Sequence, residues 1–163
     1  MRARAFCAGG AAALTTMLLL GCGGARQSLA SRQADVAARG AQVMPFDLSK
    51  TRHVFESLPD GGLQTVTALD AGDTLQVRLI REHLQDEAAR FARGDFEDPM
   101  AIHGHAMPGI AELRRDATRL GVAYAPVPGG ATIRYRSDEP SLVAALHTWF
   151  EAQRMDHGAA GKP

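Results

Sequence analysis

Two stretches of the chain alternate between apolar and polar residues in the manner of a β-hairpin. A period of two places alternate side chains on a buried face and on a solvated face, as Ile133 and Tyr135 do with Arg134 and Arg136. Gly residues between the halves of each stretch, preceded by Asp60 in the first, supply the backbone conformations of a tight turn. The predicted strands are RHVFESL and LQTVTALD around PDGG, then VAYAPV and ATIRYRS around PGG.

A helical period of apolar residues follows each predicted hairpin. It predicts one helix within residues 73–94 and a second within residues 138–158. Asp70 or Asp73 is suited to cap the first helix and Asp138 the second. Each helix carries a histidine near its middle. The apolar faces comprise Ile80, Leu84, Ala88 and Phe91 in one helix and Leu142, Leu146, Trp149 and Phe150 in the other, and the histidines are His83 and His147.

The order of these elements predicts two ββα units. Four strands would form one antiparallel sheet with the helices packed on one face, which is an α+β fold. The two units can come from an internal duplication or can resemble each other by chance, because few residues are identical between them.

A single α+β domain is predicted over residues 44–158. Residues 22–43 are mostly small or polar, so we predict that they contain the lipidated cysteine and a flexible tether, which can include a transient helix near residues 31–39. Inside the domain, GDFEDPMAIHGHAMPGI is predicted to begin as a loop, and residues 108–120 suit a short helix. Residues 159–163 are predicted to be a disordered tail.

The N-terminus has the pattern of a secretion signal. Arg2 and Arg4 precede an uncharged apolar run that ends at Leu20, and Leu19-Leu20-Gly21-Cys22 resembles the lipobox of bacterial lipoproteins. We therefore predict a signal peptide over residues 1–21 and lipidation of Cys22, with an ordinary signal peptide as the alternative. In Gram-negative lipoproteins an aspartate after the cysteine retains the protein in the inner membrane. Gly23 stands there, so the resemblance implies the outer membrane, facing the periplasm.

Cysteine usage and charge limit the remaining chemistry. The chain has two cysteines; Cys7 would leave with the signal peptide and Cys22 would carry lipid. Disulfides, thiolate metal sites and cysteine catalysis are thereby excluded from the predicted domain. The 18 basic and 18 acidic residues give a net charge of zero, without a basic tail. Nothing in this balance indicates a nucleic-acid partner.

The stretch AIHGHAMPGI contains the first candidate metal ligands, His103, His105 and Met107. Imidazole binds zinc, copper or nickel, and a thioether favours copper. In an extended backbone the two histidines would point to the same side. A closed zinc site needs about four ligands, and the alternative is therefore that both histidines are polar residues of a surface loop.

His83 and His147 are the second choice of metal ligands. His83 is also one helical turn from Glu87, so the pair could act as ligands or in acid–base chemistry if it lined a cleft. The alternative pairs Glu87 with Arg90, and makes His147 a core-edge residue held by one hydrogen bond. Signature motifs of common hydrolases, nucleotide-binding proteins and zinc proteases are missing from the sequence, which makes an enzyme the less favoured class.

Residues 44–158 resemble a group of small, uncharacterised bacterial envelope proteins, some of which carry the label aspartate carbamoyltransferase. The resemblance rests on MPFDLSKTRHVFE, GDFEDPMAIHG with MPGIAEL, and LVAALHTWFEAQRMDHG. The first stretch is similar to the carbamoyl-phosphate motif STRTRxSFE of that enzyme. Arg52 matches it, whereas Lys50 replaces an arginine and Val54 a serine. About 140 residues also cannot form the two domains that flank that active site. The resemblance thus implies a shared fold without a known activity.

Together these patterns predict a lipid-anchored protein of the cell envelope that binds copper, zinc or a metal cofactor through histidines, weakly or in transit. The alternative is a protein-interaction module of the envelope, with an unknown envelope protein as its partner and with neither metal nor catalysis. A small hydrolytic or lyase activity of His83 and Glu87 is a third hypothesis.

Overall fold

The computed structural model describes residues 28–158, which contain five α-helices and four β-strands. Short 3-10 helices precede the first and third strands, at Leu48–Lys50 and Ala117–Arg119. The elements in chain order are α1 (Leu29–Val43), β1 (Thr51–Leu58), β2 (Gly61–Ala68), α2 (Thr74–Phe91), α3 (Glu97–His103), α4 (Ile110–Arg115), β3 (Gly121–Val127), β4 (Gly130–Arg136) and α5 (Pro140–His157).

The four strands form one antiparallel sheet in the order β1-β2-β4-β3. Each predicted hairpin is present, and the two hairpins join through their second strands, where Val66 pairs with Ala131. Gly129 in the second turn has a φ of 75°, a backbone conformation that glycine adopts without strain. The predicted α+β fold with a four-stranded antiparallel sheet is confirmed.

The core lies on one face of this sheet. Phe55, Val66, Ile133 and Tyr135 are buried there, whereas the residues that alternate with them along each strand are more exposed. Helix α2 lies mainly against β3 and β4, and α5 lies against β1 and β2. Each helix therefore packs across the hairpin of the other unit, so neither unit has a core of its own.

Helix α1 occupies most of the stretch that the sequence predicts to be a flexible tether. Ser28 caps it by accepting a hydrogen bond from the Ser31 backbone, and α1 packs on α3 and α5. Only Val36 and Gly40 of the helix are buried, and it is held largely by polar contacts, which apolar periodicity does not reveal. Among residues 28–158, no helix combines the length and apolar character needed to cross a bilayer.

Helix α3 lies where the sequence predicts a loop. Pro99 stands in its first turn, where a proline removes no intrahelical hydrogen bond, and Met100, Ile102 and His103 are buried by the helix. Gly104, with a φ of 98°, ends it. Proline and glycine thus mark the ends of a short helix here. The predicted helix after this segment is present as α4, but it is shorter than predicted.

A buried histidine cavity as the candidate functional site

A cavity of about 30 Å³ lies between the sheet and helices α2, α3 and α5. That volume holds one or two water molecules or one metal ion. We call it the histidine cavity, because four of the six histidines of the chain line it. Its polar lining consists of His53, Gln64, His83, Glu87, His103, Gln153 and His157, and its apolar lining includes Met44, Phe46 and Trp149.

Four different elements bring the histidines together. His53 is on the inward face of β1, two residues from the buried Phe55. His83 is on α2, one turn before Glu87. His103 is the last residue of α3, and His157 is the last residue of α5. The site therefore exists only in the folded domain.

The rings of three histidines are in contact. The His157 ring centre is 5.2 Å from that of His53 and 5.1 Å from that of His103. The fourth histidine, His83, is linked to this group through Phe46. The centre of the Phe46 ring is 5.9 Å from that of His53 and 5.6 Å from that of His83. The aromatic ring excludes water and lowers the local polarity, which makes any charge in the cavity costly.

An acidic residue fixes the orientation of His103. Its Nδ1 lies 2.8 Å from an Asp156 carboxylate oxygen, and Arg32 of α1 donates two hydrogen bonds to the same carboxylate. Because a carboxylate only accepts, the His103 Nδ1 carries the proton and the neutral ring keeps its lone pair at Nε2. Metal-binding histidines commonly have this arrangement, in which a carboxylate orients the ring and raises its basicity.

Burial keeps two of the histidines neutral. It lowers the pKa of His53 to about 4, with help from the positive charge that His83 and His103 can carry. It lowers the pKa of His157 to about 3, again with repulsion from His53 and His103. Burial also lowers the pKa of His103, against the opposing effect of Asp156. At neutral pH these rings therefore offer lone pairs, which is the form that binds metal ions.

His83 differs from the other three rings because it faces a carboxylate across the cavity wall. Its Nε2 lies 3.5 Å from Glu87 Oε1, and both side chains are almost fully buried. Burial lowers the pKa of His83, but the hydrogen-bonding and charge of Glu87 outweigh it, and the pKa is raised overall. The alternative partner, Arg90, instead pairs with Asp95 and Asp98.

Unsatisfied polar atoms are concentrated at this cavity. Among the described residues, three buried side-chain atoms lack a hydrogen bond of good geometry: His83 Nε2, Trp149 Nε1 and Gln153 Oε1. For His83 the Glu87 carboxylate, at 3.5 Å, is a charged neighbour but too distant for a strong hydrogen bond. All three residues line the histidine cavity. An unpaired buried polar atom costs about 1–3 kcal/mol, so such a cluster indicates a place where a ligand or water supplies the missing partners.

The cavity does not hold a preformed metal site. No group of three or more His, Cys, Asp or Glu side chains within residues 28–158 is arranged to hold an ion. The ring spacing is nevertheless suitable. Two imidazoles that bind one tetrahedral ion at about 2.0–2.1 Å have ring centres about 5 Å apart, as His157 has to both neighbours. Ligation would need the ring nitrogens to turn toward a common point.

The structure places two of the ligands predicted from the sequence in the cavity and the others outside it. His83 and His103 line the cavity, whereas His105 is exposed in the loop after α3. Met107 is buried in the hydrophobic core. His147 is at the other end of the domain, where its Nε2 is 2.9 Å from the carbonyl oxygens of both Leu58 and Gly61. Cys22, the predicted lipidation site, lies outside the described residues.

Two histidines of the cavity, His53 and His157, are not among the ligands predicted from the sequence. The period of two along β1 places His53 inward together with Phe55, and the helical period of α5 places His157 one turn after Gln153. Both patterns are present in the sequence and could have identified inward-facing histidines. Met44 also lines the cavity, although it precedes the first strand and follows no periodic pattern.

Comparison with known proteins gives no relative from which the function of the site could be inferred. No family model matches the chain, and neither a curated protein nor a solved structure was found to be similar to it.

Proposed function

We propose that this protein is a lipid-anchored envelope protein that binds a transition-metal ion, copper or zinc, in the histidine cavity. The observation that carries the proposal is the convergence of four histidines, two of them buried and two half-buried, on one cavity whose lining also contains the unpaired polar atoms. Buried neutral imidazoles are suitable ligands for either metal. The low exposure of the rings favours a bound ion over a surface-adsorbed one.

The proposed ligands are His53, His103 and His157. The contacts between their rings support this choice, and Asp156 supports His103 by fixing its proton on Nδ1. A fourth position could be filled by Met44, whose thioether would favour copper, or by water, which would suit zinc. Because the rings must rotate to bind, we expect moderate affinity, which suits transfer of the ion more than storage.

The proposed anchor is acylated Cys22. Residues 23–28 separate it from the start of α1, so the packed domain would lie close to the membrane surface. Two acyl chains would be needed for stable anchoring. Incorporation of labelled palmitate into the wild-type protein, and its loss in a Cys22→Ser variant, would test this part of the proposal.

Metal content tests the binding site. We would purify the full chain without a histidine tag, measure bound metals by elemental analysis, and titrate the chelator-treated protein with copper and with zinc. The wild-type protein should bind one equivalent. A His53→Gln, His157→Gln double variant should lose it, because two of the three proposed ligands are removed. Circular dichroism would verify that the variant is folded.

His105→Ala is the matched control, because it removes an exposed histidine near the cavity in sequence but outside its lining. This variant should bind metal as the wild type does. Equal weak titration of all three proteins would contradict the proposal. The protein-interaction module would then become the leading hypothesis, and crosslinking to neighbouring envelope proteins would be the next experiment.

A further inference from the structure

A second cavity, of about 170 Å³, lies between α1 and the rest of the domain. We call it the apolar cavity, because Val36, Gly40, Met44, Leu48 and Ile102 form most of its wall. Its volume is similar to the roughly 150 Å³ of an apolar protein cavity that stays dry and binds benzene. It is too small for a drug-sized ligand, which needs about 300 Å³ or more.

One end of the apolar cavity is polar, and most of its polar groups already have partners. The Asp156 carboxylate is held by Arg32 and His103. Gln33 donates to the Met155 carbonyl oxygen. The Thr51 hydroxyl donates to the Leu48 carbonyl oxygen.

Two imidazoles remain at this end, those of His53 and His157, and both also line the histidine cavity. The Thr51 hydroxyl oxygen lies 3.5 Å from the His53 Nε2, which is too long for a strong hydrogen bond. A neutral imidazole has one ring nitrogen that accepts a hydrogen bond. A ligand with a hydroxyl donor could therefore bind there.

We propose that the apolar cavity binds a small, neutral molecule of the phenol class, with its ring between α1 and Ile102 and its hydroxyl donating to His157 or His53. The apolar wall excludes a charged body, since nothing there would pair with it. A carboxylate ligand would also meet the Asp156 carboxylate. This inference goes beyond metal binding and does not depend on it.

The test uses phenol as the probe and the full chain after chelator treatment, followed by NMR of the methionine methyl groups and of the imidazole nitrogens. Phenol should shift the Met44 methyl signal in a saturable way and should move an imidazole nitrogen signal of His53 or His157. Toluene, which has the same ring without the hydroxyl, should leave the imidazole nitrogens unmoved.

Two substitutions on α1 localise the binding. Ala37 lines the apolar cavity, and the neighbouring Ala38 does not; both are exposed. Ala37→Met should fill the cavity and weaken phenol binding at least tenfold, whereas Ala38→Met should bind as the wild type does. Methionine is a good helix former, so both variants should keep α1.

The proposal is overturned if the Met44 shift does not saturate or if both variants bind phenol equally. It is also overturned if phenol leaves both imidazoles unmoved. No metal is present in this titration, so its failure would be separate from a failure of the proposed metal binding.

Discussion

The two long helices of the domain each carry a histidine near the middle, and the two histidines have different partners. His147, near the middle of α5, lies 2.9 Å from two backbone carbonyl oxygens of the first hairpin. His83, near the middle of α2, has no hydrogen-bond partner for its Nε2 and faces Glu87 at 3.5 Å. One histidine thus binds the backbone of a hairpin, and the other pairs with a carboxylate at the wall of the histidine cavity. Histidines near the middle of the two helices therefore differ in their partners.

The strands show the same contrast. The inward face of the first hairpin includes His53 and Gln64, whereas that of the second includes Ala131 and Ile133, which are fully buried. Apolar packing of the second hairpin stabilises the fold. Gln64 of the first hairpin accepts a hydrogen bond from the Tyr135 hydroxyl, whereas His53 has only a long contact of 3.5 Å with the Thr51 hydroxyl. A buried polar ring with so weak a partner costs stability, which is typical of a binding site.

The largest effect of a single substitution is expected from the packed region. Phe150 is fully buried, and its ring contacts those of Phe55 and Tyr135 with centres 5.3 and 5.6 Å away. Phe150→Ala should lower the free energy of unfolding by about 3–5 kcal/mol because it opens a cavity. Met155→Ala, an exposed position of the same helix, should change it by less than about 0.5 kcal/mol. Urea denaturation measures both; a similar loss in the two variants would contradict this packing.

The histidine cavity should make the folded protein less stable in acid. His53 and His157 have pKa values of about 4 and about 3 in the folded protein, against 6.5 for an ordinary histidine. Below pH 6.5 the unfolded chain binds protons that the folded protein does not. The free energy of unfolding of the metal-free protein should therefore fall by about 1.4 kcal/mol per pH unit for each ring.

Urea denaturation between pH 7 and pH 4.5 measures this slope. The His53→Gln, His157→Gln variant should have a much flatter profile. His83 does not compensate in this range, because its raised pKa gives a contribution that is lost as the pH rises above 6.5. His105→Gln is the surface control. An unchanged slope in the double variant would show that the acid sensitivity arises elsewhere.

A smaller effect is expected from the residue that joins α1 to the histidine cavity. Asp156→Asn removes the charge that both Arg32 and His103 bind, and should cost about 1.5–3 kcal/mol of stability. It should also weaken metal binding by about 10–100-fold, because the orientation of His103 is lost.

The matched control for Asp156→Asn is Glu151→Gln on the same helix. Glu151 forms an exposed ion pair with Arg154, and pairs of this kind contribute little. Calorimetric titration with zinc and urea denaturation measure both properties. Equal metal affinity in Asp156→Asn and the wild type would exclude His103 as an oriented ligand.

The main elements of the fold could be predicted because their signals are local. The two hairpins have alternating strands and turn glycines, and α2 and α5 have apolar residues at helical spacing. The packing of helix α1 on the domain could not be predicted, because polar contacts such as that of Arg32 with Asp156 hold it in place. These contacts join residues more than 100 positions apart, and a local pattern does not reveal them.

The candidate site was only partly predictable for the same reason. His83 and His103 were predicted as ligands because of residues close to them in sequence, Glu87 and His105. Glu87 lines the histidine cavity together with His83, whereas His105 does not line it. The contact between His53 and His157 depends on how α5 crosses the first hairpin. Spacing in sequence suggested the pair His103 and His105; packing instead brings His103 to His157.

The smallest changes in stability are expected from two substitutions in α5, one outside the histidine cavity and one in its lining, and they should differ in sign. His147→Leu removes a hydrogen bond to backbone carbonyls and should cost about 1 kcal/mol. Gln153→Met replaces a buried amide oxygen that lacks a partner by an apolar side chain of similar size. In the metal-free protein it should leave stability unchanged or raise it by about 1 kcal/mol. If Gln153→Met instead destabilises as much as His147→Leu, the amide oxygen has a permanent partner such as a bound water. The histidine cavity would then be a structural polar network, and the difference between the two units would no longer support a binding role.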